Sequence, residues 1–340
     1  MKIIFDYRIL THNNYTGVEN YAYNILVNLR KNVDVNISKS IINNRLFSNI
    51  WSLLILAFKN GDIIFYPTMF APLFNFGNKK VVTTIHDIAF ITQATTLSKK
   101  FQLYYKYSIK RVIEKADKII TVSNFSKSEI EKYYPESIGK IRVAYLGSSY
   151  IFKQIDNIEK KKQILYVGSL NERKNFIGVL KAFELLNTHN YKLVIVGNFF
   201  DTYKLSKEVQ EEIQKARNNP NIEFRHGVSN DELVTIYNES KLFLFPSFYE
   251  GFGLPVLESM SCGTPVICSN TSSLPEVGGD AVVYCNPYDI NDIKNKIELV
   301  LNDENLQKEM ITKGLDRAKL FSWEKSANEH IEIFRETLKS

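Results

Sequence analysis

Short, nearly continuous apolar runs rich in β-branched residues recur along the chain. In the first half they are Lys2–Tyr7, Val33–Ser38, Asp62–Tyr66, Lys80–Ile85, Lys118–Val122 and Ile141–Tyr145; in the second they are Gln163–Val167, Tyr191–Val196, Asn221–Arg225, Lys241–Phe245, Thr264–Cys268 and Ala281–Tyr284. Continuous rather than alternating runs predict parallel strands buried on both faces. Helical patterns such as Asn175–Leu186 and Asp231–Ser240 lie between them. Alternation over twelve strands predicts a parallel α/β protein, whereas a single eight-stranded barrel would need fewer strands and more even spacing. Two doubly wound domains fit better: residues 1–155 and 156–320, joined within Gly147–Lys162, where periodicity lapses and the charge run Glu159–Lys162 follows. Residues 321–340 read as one long helix, expected to return toward the first domain. Ligands of such sheets bind at the carboxyl ends of the strands, here expected in a crevice between the domains.

Composition narrows the picture. At 340 residues with 44% apolar and 24% charged side chains, the chain is long enough for two cores, and disorder or low-complexity polymer is excluded. Three cysteines, Cys262, Cys268 and Cys285, with no C-x-x-C pair, argue against a disulfide scaffold or zinc site and for a reducing compartment. The opening MKIIFDYRIL lacks a signal-peptide core and cleavage site and is expected to be a first strand at a mature N-terminus. The longest apolar stretch, Leu46–Phe58, contains Ser48, Asn49 and Ser52 and falls short of the ~20 residues a membrane span needs. The net charge of +6 is unevenly spread. Residues 1–150 hold 20 Lys and Arg against 10 Asp and Glu, and the remainder holds 23 against 27. The basic half is expected to face something anionic.

The richest segment is KLFLFPSFYEGFGLPVLESMSCGTP, residues 241–265. A buried strand leads through Pro246-Ser247 to Glu250-Gly251-Phe252-Gly253, and Pro255 opens a helix that Gly263 ends. A glycine-rich loop feeding a helix N-terminus offers free N–H groups and a partial positive charge to a phosphate. Glu250 and Glu258, eight positions apart, are unsuited to phosphate but suited to accepting hydrogen bonds from sugar and ribose hydroxyls. Gly251-x-Gly253-x-x-Val256 imitates a dinucleotide fingerprint, but valine replaces the third glycine and the loop lies in the wrong half for a nicotinamide enzyme.

Glu250-x7-Glu258 within YEGFGLPVLESMSCGTPVICSN resembles the signature of family 4 retaining glycosyltransferases of the GT-B fold, which has two Rossmann-like domains facing across a crevice. Leu274-Pro275-Glu276-Val277 with Gly279-Asp280-Ala281, Tyr166-Val167-Gly168 with Asn171-Glu172-Arg173-Lys174-Asn175, and Gly227-Val228-Ser229 with Asp231-Glu232-Leu233 add to it. So, in the first half, do Thr84-Ile85-His86-Asp87, Thr121-Val122-Ser123 and Thr16-Gly17-Val18. The resemblance therefore runs along nearly the whole chain in family order.

It implies a nucleotide-diphosphate-sugar donor held mainly by the second domain. Glu258 would take the ribose hydroxyls and Glu250 those of the sugar. The Gly251, Phe252, Gly253 and Leu254 backbone would cap sugar or phosphate. Lys174 would hold the diphosphate, where negative charge builds on the leaving nucleotide. Many members carry an arginine directly after the glycine matching Gly168; here Ser169 stands there, and Arg173 is the second cation available. His86 would lie near the reacting centre, with Gly17 and Asp87 on the acceptor side. Asp87 could orient His86 or contact the acceptor. Ser123 with Asn124 could line the crevice or cap a helix. The catalytic set implied is thus His86, Glu250 and Lys174. The chain has no Asp-x-Asp triplet, and cations with a helix N-terminus can replace a bridging metal, so neither metal nor cofactor is expected.

Leu97–Ala116 reads as an amphipathic helix. Phe101, Tyr105, Ile109, Val112 and Ala116 share one stripe, and Lys99, Lys106 and Lys110 lie opposite with Leu103 and Tyr107 among them. A basic face with embedded apolar groups suits an anionic membrane surface as well as solvent. Leu46–Phe58 is read as a core-packing helix. The expected partners are a nucleotide-sugar donor, a glycan or lipid-linked acceptor and an anionic bilayer, the protein being cytoplasmic or peripheral on the inner membrane face. A nucleic-acid binder, suggested only by basicity, is not expected, because the basic residues form no recognised motif. A sugar-nucleotide epimerase on the same fold is the alternative. His-Asp-Ile-Ala-Phe and Glu-Arg-Lys-Asn resemble bacterial mannosyl- and rhamnosyltransferases of surface-polysaccharide assembly, which makes GDP-mannose the first donor to expect.

Overall fold

The computed structural model describes residues 1–11, 17–38, 58–70, 79–93, 99–170, 172–186, 190–197 and 207–340. Asn171, Thr16 and nearly all of the Leu46–Phe58 segment, which the motifs above include, lie outside them. The chain divides into two compact units, Met1–Gly147 with Phe321–Ser340, and Ser148–Leu320.

The first unit has six parallel strands, β1 (Lys2–Asp6), β2 (Asp34–Ser38), β3 (Ile63–Tyr66), β4 (Lys80–Thr84), β5 (Lys118–Thr121) and β6 (Ile141–Val143), in the order β2-β1-β3-β4-β5-β6. All four residues of β3 are fully buried, as are Ile3, Ile4 and Phe5 of β1, so these central strands carry no polar face. Helices α1 (Gly17–Leu29), α2 (Ala89–Thr92), α3 (Lys99–Lys115) and α4 (Asn124–Tyr133) flank the sheet. On α3, Ile109, Val112 and Ile113 are buried in a cluster with Ile119, Ile130 and Ile141, while Leu103, Tyr104 and Tyr107 are 70%, 64% and 71% exposed. The side chains of residues 99–101, which include Phe101 and Lys99 of the predicted pattern, are outside those described. Ser123 caps α4, its hydroxyl accepting from Ser126 N–H at 3.0 Å.

The second unit repeats the plan with β7 (Lys161–Val167), β8 (Lys192–Val196), β9 (Ile222–Arg225), β10 (Ser240–Phe245), β11 (Val266–Ser269) and β12 (Val283–Cys285), ordered β12-β11-β10-β7-β8-β9. Its helices are α5 (Phe176–Glu184), α6 (Lys207–Arg217), α7 (Asn230–Glu239), α8 (Leu254–Ser261), α9 (Leu274–Gly278), α10 (Ile290–Asn302) and α11 (Glu304–Ala318); α12 (Trp323–Lys339) belongs to the first unit. Local chemistry starts several of these helices. Ser229 and Glu232 form a reciprocal capping box on α7, and Asp289, Asp303 and Ser322 cap α10, α11 and α12. All twelve predicted strands are present, with ends shifted by a residue or two. β11 starts at Val266 rather than Thr264, because Thr264 turns its hydroxyl onto the Tyr237 carbonyl at 2.6 Å and Pro265 has no N–H to give a ladder.

The division between units falls after Gly147, the first residue of the segment where periodicity lapses, and before the 155/156 boundary. Residues after Gly147 are claimed by the second unit: Ile155 N–H donates to Asn238 Oδ1 at 2.8 Å, and Asn238 Nδ2 donates to the Lys153 carbonyl at 3.0 Å. A Cβ at Gly147 would collide with the backbone of Ser322 and Trp323, so only glycine lets α12 start against the end of the first sheet. The helix is anchored there by Phe334, edge-on to Phe65 at 5.2 Å, and by ion pairs from Arg142 and Lys118 to Glu336. Among the described residues no helix is long and apolar enough to cross a membrane.

Candidate active site

The strand order of each sheet says where a ligand should bind. In the second unit the chain builds outward from β7 to β9, then returns to β10 on the other side of β7. The loops leaving β7 and β10 therefore diverge around one crevice, the switch point of a doubly wound sheet. The β7 loop carries Arg173 and Lys174 in a short 3-10 turn, and the β10 loop carries Glu250. Topology alone thus brings together three charges separated by some 75 residues of sequence.

They meet tightly. Lys174 Nζ lies 2.7 Å from Glu250 Oε1, and Arg173 Nη1 lies 3.3 Å from Glu250 Oε2. Glu250 is buried, and burial pushes its carboxyl up, yet the two cations more than offset this and hold it below the ordinary carboxylate value. Lys174 also sits over the Phe245 ring, 4.7 Å from its centre. Arg173 is not the simple exposed loop residue its position allowed. Its Nη1 donates to the Tyr249 carbonyl at 2.6 Å, and its own carbonyl accepts from Phe248 N–H at 2.9 Å. The arginine ties the two loops together.

Beyond Glu250 the chain enters α8 through Gly253, whose φ of +112° is open only to glycine and where a Cβ would press on Leu274 at 2.6 Å. Pro255 occupies the second helical position, one later than the sequence predicted, because Leu254 already has helical conformation. Proline costs nothing in that first turn, where the N–H lacks a partner. Glu258, one turn further along α8, accepts from Tyr237 O–H at 3.2 Å. Burial pushes its carboxyl up to about 7, with Tyr237 and Lys174 pulling back. The two glutamates of the motif are thus opposites: one is held ionised by cations, the other is poised to take or lose a proton near neutrality.

Sequence reading missed the residues that hold this loop. Ser273 Oγ donates to the carbonyls of Glu250 and Phe252 at 2.9 and 2.8 Å, and Ser272 Oγ accepts from Glu250 N–H at 3.1 Å. Ser269 donates to the Ser247 carbonyl at 2.5 Å and Thr271 to that of Phe248 at 3.3 Å. The signal was present as the hydroxyl-rich Ser269-Asn270-Thr271-Ser272-Ser273, but only the return of β11 beside β10 shows what it braces.

In the first unit, His86 follows β4, half-buried, with Nε2 3.2 Å from the Pro67 carbonyl. Burial lowers its pKa, against the pull of the Pro67 carbonyl, Asp87 and Glu19. The Asp87 carboxylate accepts from the N–H of Ala89, the first residue of α2, at 3.0 Å. Gly17 opens α1, and a Cβ there would meet nothing within 4 Å, so local packing does not demand glycine.

The chain is similar to known proteins along most of its length. The glycosyl transferases group 1 family matches residues 149–317, and glycosyltransferase family 4 matches residues 33–148. The chain is 33% identical over 273 residues to O-antigen chain mannosyltransferase B of Escherichia coli, covering 76% of this chain and 70% of that protein. The chain belongs to the family 4 glycosyltransferases. Among solved structures it superposes on sucrose-phosphate synthase from Thermosynechococcus elongatus with a TM-score of 0.79 at 19% identity, over 98% of both chains. It also superposes on Anabaena HepE, solved in complex with UDP-glucose, with a TM-score of 0.75 at 14% identity, over 99% of this chain and 100% of that one. The fold of this glycosyltransferase is GT-B. A sugar-nucleotide epimerase is not favoured.

Proposed function

We propose that this glycosyltransferase moves a hexose, mannose from GDP-mannose in the first instance, onto a glycan or lipid-linked acceptor of a surface polysaccharide, with retention of anomeric configuration. The observation that carries the reading is the Glu250 carboxylate buried between Lys174 and Arg173 at the switch point of the second sheet. The mannosyl and O-antigen assignment of the E. coli relative supports the sugar and product class, and the UDP-glucose complex of HepE supports a nucleotide-sugar donor.

The residues divide the work. Arg173 and Lys174 meet the diphosphate, and their charge grows in value as the glycosidic bond breaks. The backbone of Gly251–Leu254 and the start of α8 cap phosphate or sugar oxygens. Glu258 accepts the ribose hydroxyls, and His86 stands at the anomeric region with Gly17 and Asp87 on the acceptor side. Glu250 is a poor nucleophile, since both its oxygens face cations. The acceptor's proton is therefore taken by the leaving phosphate on the face the nucleotide vacates, without a covalent sugar–enzyme intermediate, and no metal is required. Incubation with GDP-mannose, UDP-glucose and a dTDP-sugar, each with a lipid-linked acceptor, tests the reading. The same anomeric configuration in product and donor is expected by NMR. Inversion would overturn retention, and a hexose adduct on Glu250 would overturn the mechanism.

The exposed Leu103, Tyr104 and Tyr107 of α3, with Lys106 and Lys110 exposed beside them, support docking on an anionic bilayer at the cytoplasmic membrane face. Flotation with phosphatidylglycerol vesicles should carry the protein and phosphatidylcholine vesicles should not; equal flotation would remove the electrostatic part of this reading.

A further inference from the structure

α12 inserts His330 into the core of the first unit, where the imidazole is fully buried. Its Nδ1 lies 2.7 Å from the Ser326 carbonyl and its Nε2 lies 2.7 Å from the Tyr21 hydroxyl. A carbonyl only accepts, so Nδ1 carries the hydrogen and Nε2 is a bare lone pair. Tyr21 must then donate to His330. The second contact of the Tyr21 oxygen, Thr84 Oγ1 at 2.8 Å, must donate to Tyr21. The same rule puts the hydrogen of His86 on Nε2, facing the Pro67 carbonyl, and leaves Nδ1 as its basic nitrogen.

These two histidines are linked through one side chain. Thr84 and His86 lie two residues apart on a chain that stays extended past β4, Ile85 N–H donating to the Ile120 carbonyl at 2.9 Å. They therefore share a face. Tyr21 packs on that face: its hydroxyl bonds Thr84, and its ring meets the His86 ring at 89° with centres 4.6 Å apart. Tyr21 is completely buried, so its ring has one position, and that position is set by His330 from the far end of the sequence. Glu19 of α1, Asp87 and His330 are the charged or titratable neighbours that act on His86. Burial keeps both imidazoles neutral, His330 being lowered to about 4.

We propose that Tyr21 is a positioning residue for His86 and that His330 locks Tyr21, which makes the C-terminal helix part of the catalytic apparatus. The proposal rests on the reading that His86 stands at the reacting centre. The hydroxyl bonds fix the Tyr21 ring, and that ring orients the imidazole rather than touching substrate, so their loss should slow turnover and leave donor binding alone.

The test uses the full chain labelled with 15N-histidine, in which five histidines give a readable spectrum; His86→Gln assigns the His86 signal. Wild type should show one His86 tautomer with hydrogen on Nε2. Tyr21→Phe keeps the ring and deletes the hydroxyl. It should let the Tyr21 ring shift against the imidazole, move the His86 15N shifts and titration, and cut kcat by up to about 10²-fold with donor KM within about twofold, the scale of a misplaced catalytic group. His330→Leu should match it. His330→Gln, which keeps an acceptor for Tyr21, should restore most of the turnover. Thr84→Val gives the same reading, in smaller degree, should Tyr21→Phe not fold. An unchanged His86 spectrum in these variants, with or without lost activity, overturns the proposal. His86→Gln with undiminished kcat overturns instead the placing of His86 at the reacting centre, and the tautomer result then stands by itself.

Discussion

Both units order six parallel strands around a switch point, yet the buried side-chain clusters beside those strands differ in chemistry. The second unit gathers ions: Arg173, Lys174 and Glu250 pair at 2.7–3.3 Å, and Glu258 is held close to its titration point. The first keeps a buried ion pair, Asp6 with Arg8, at the end of β1, but links its two buried imidazoles through neutral groups: Tyr21, Thr84, His86 and His330 share hydrogen bonds and ring edges, and burial discourages charge on both imidazoles. An ionic site is strong where charge develops during reaction, because fixed charges need no reorganisation. A neutral network contributes geometry. On the proposed reading, the second unit's ions bear the leaving nucleotide and the first unit's network holds His86 in place.

The comparison breaks most readily at Lys174. Lys174→Ala should lower kcat by about 10²–10³-fold, the usual loss when one group stabilising transition-state charge is removed, and Arg173→Ala should cost less because Tyr249 already engages it. Pre-steady-state turnover with saturating donor measures both. Normal kcat in Lys174→Ala would move the leaving-group charge elsewhere.

Glu258 comes next. Glu258→Ala should raise donor KM roughly 5- to 150-fold, the cost of about 1–3 kcal/mol for ribose hydroxyls left unpaired. The proton adds a sharper test. With the carboxyl pushed up to about 7 by burial, donor binding to the wild type should weaken as pH falls below 7, since the ribose prefers the carboxylate. Glu258→Gln should lose that slope. A pH-independent KM in the wild type would mean that Glu258 does not meet the ribose.

Legibility followed the same line. The members of the ionic cluster were picked out because they lie in local words, Glu250-Gly251-Phe252-Gly253 and Glu172-Arg173-Lys174; that Glu250 pairs with both cations was not, because strand order alone brings the two loops together. All twelve strands were readable because continuous apolar runs have one good explanation in a parallel sheet. The neutral network was not, because Tyr21 and His330 stand 309 residues apart and a tyrosine or histidine on an apolar helix face reads as ordinary core. The serines that brace the Glu250 loop were hidden for a related reason. A hydroxyl cluster after a strand predicts a turn, and only strand pairing decides what the turn touches.

Acid should affect the two units in opposite senses. His330 is lowered to about 4, so the stability it lends is present above the free-imidazole range near 6.5 and is lost as pH falls toward 4. Glu258 is raised to about 7, so the ligand-free second unit gains as pH falls from 7 toward 4.5 and the carboxyl is neutralised. Each effect is on the order of 1–2 kcal/mol after relaxation of the buried groups. Hydrogen exchange, corrected for intrinsic rates, should show α12 and β4 losing protection between pH 6.5 and 4.5 while α8 holds or gains. Parallel loss in both units would contradict the assigned directions.

The smallest effect separates bracing from chemistry within the ionic site. Ser273 donates one hydrogen toward two carbonyls, those of Glu250 and Phe252, and both the serine and the Glu250 side chain are buried. Ser273→Ala leaves these carbonyls without that donor, which should cost about 0.5–1.5 kcal/mol of stability and loosen the turn that presents Glu250 to Lys174. Since no charge is removed, the diphosphate should still bind and kcat should fall only a few-fold, far less than in Lys174→Ala. The ion pairs predict more: because Lys174 and Arg173 hold Glu250 from the other side, Ser273→Ala combined with Arg173→Ala should lose more turnover than the two single changes multiplied together. Strict multiplicativity would show that the serine and the arginine act on separate parts of the loop.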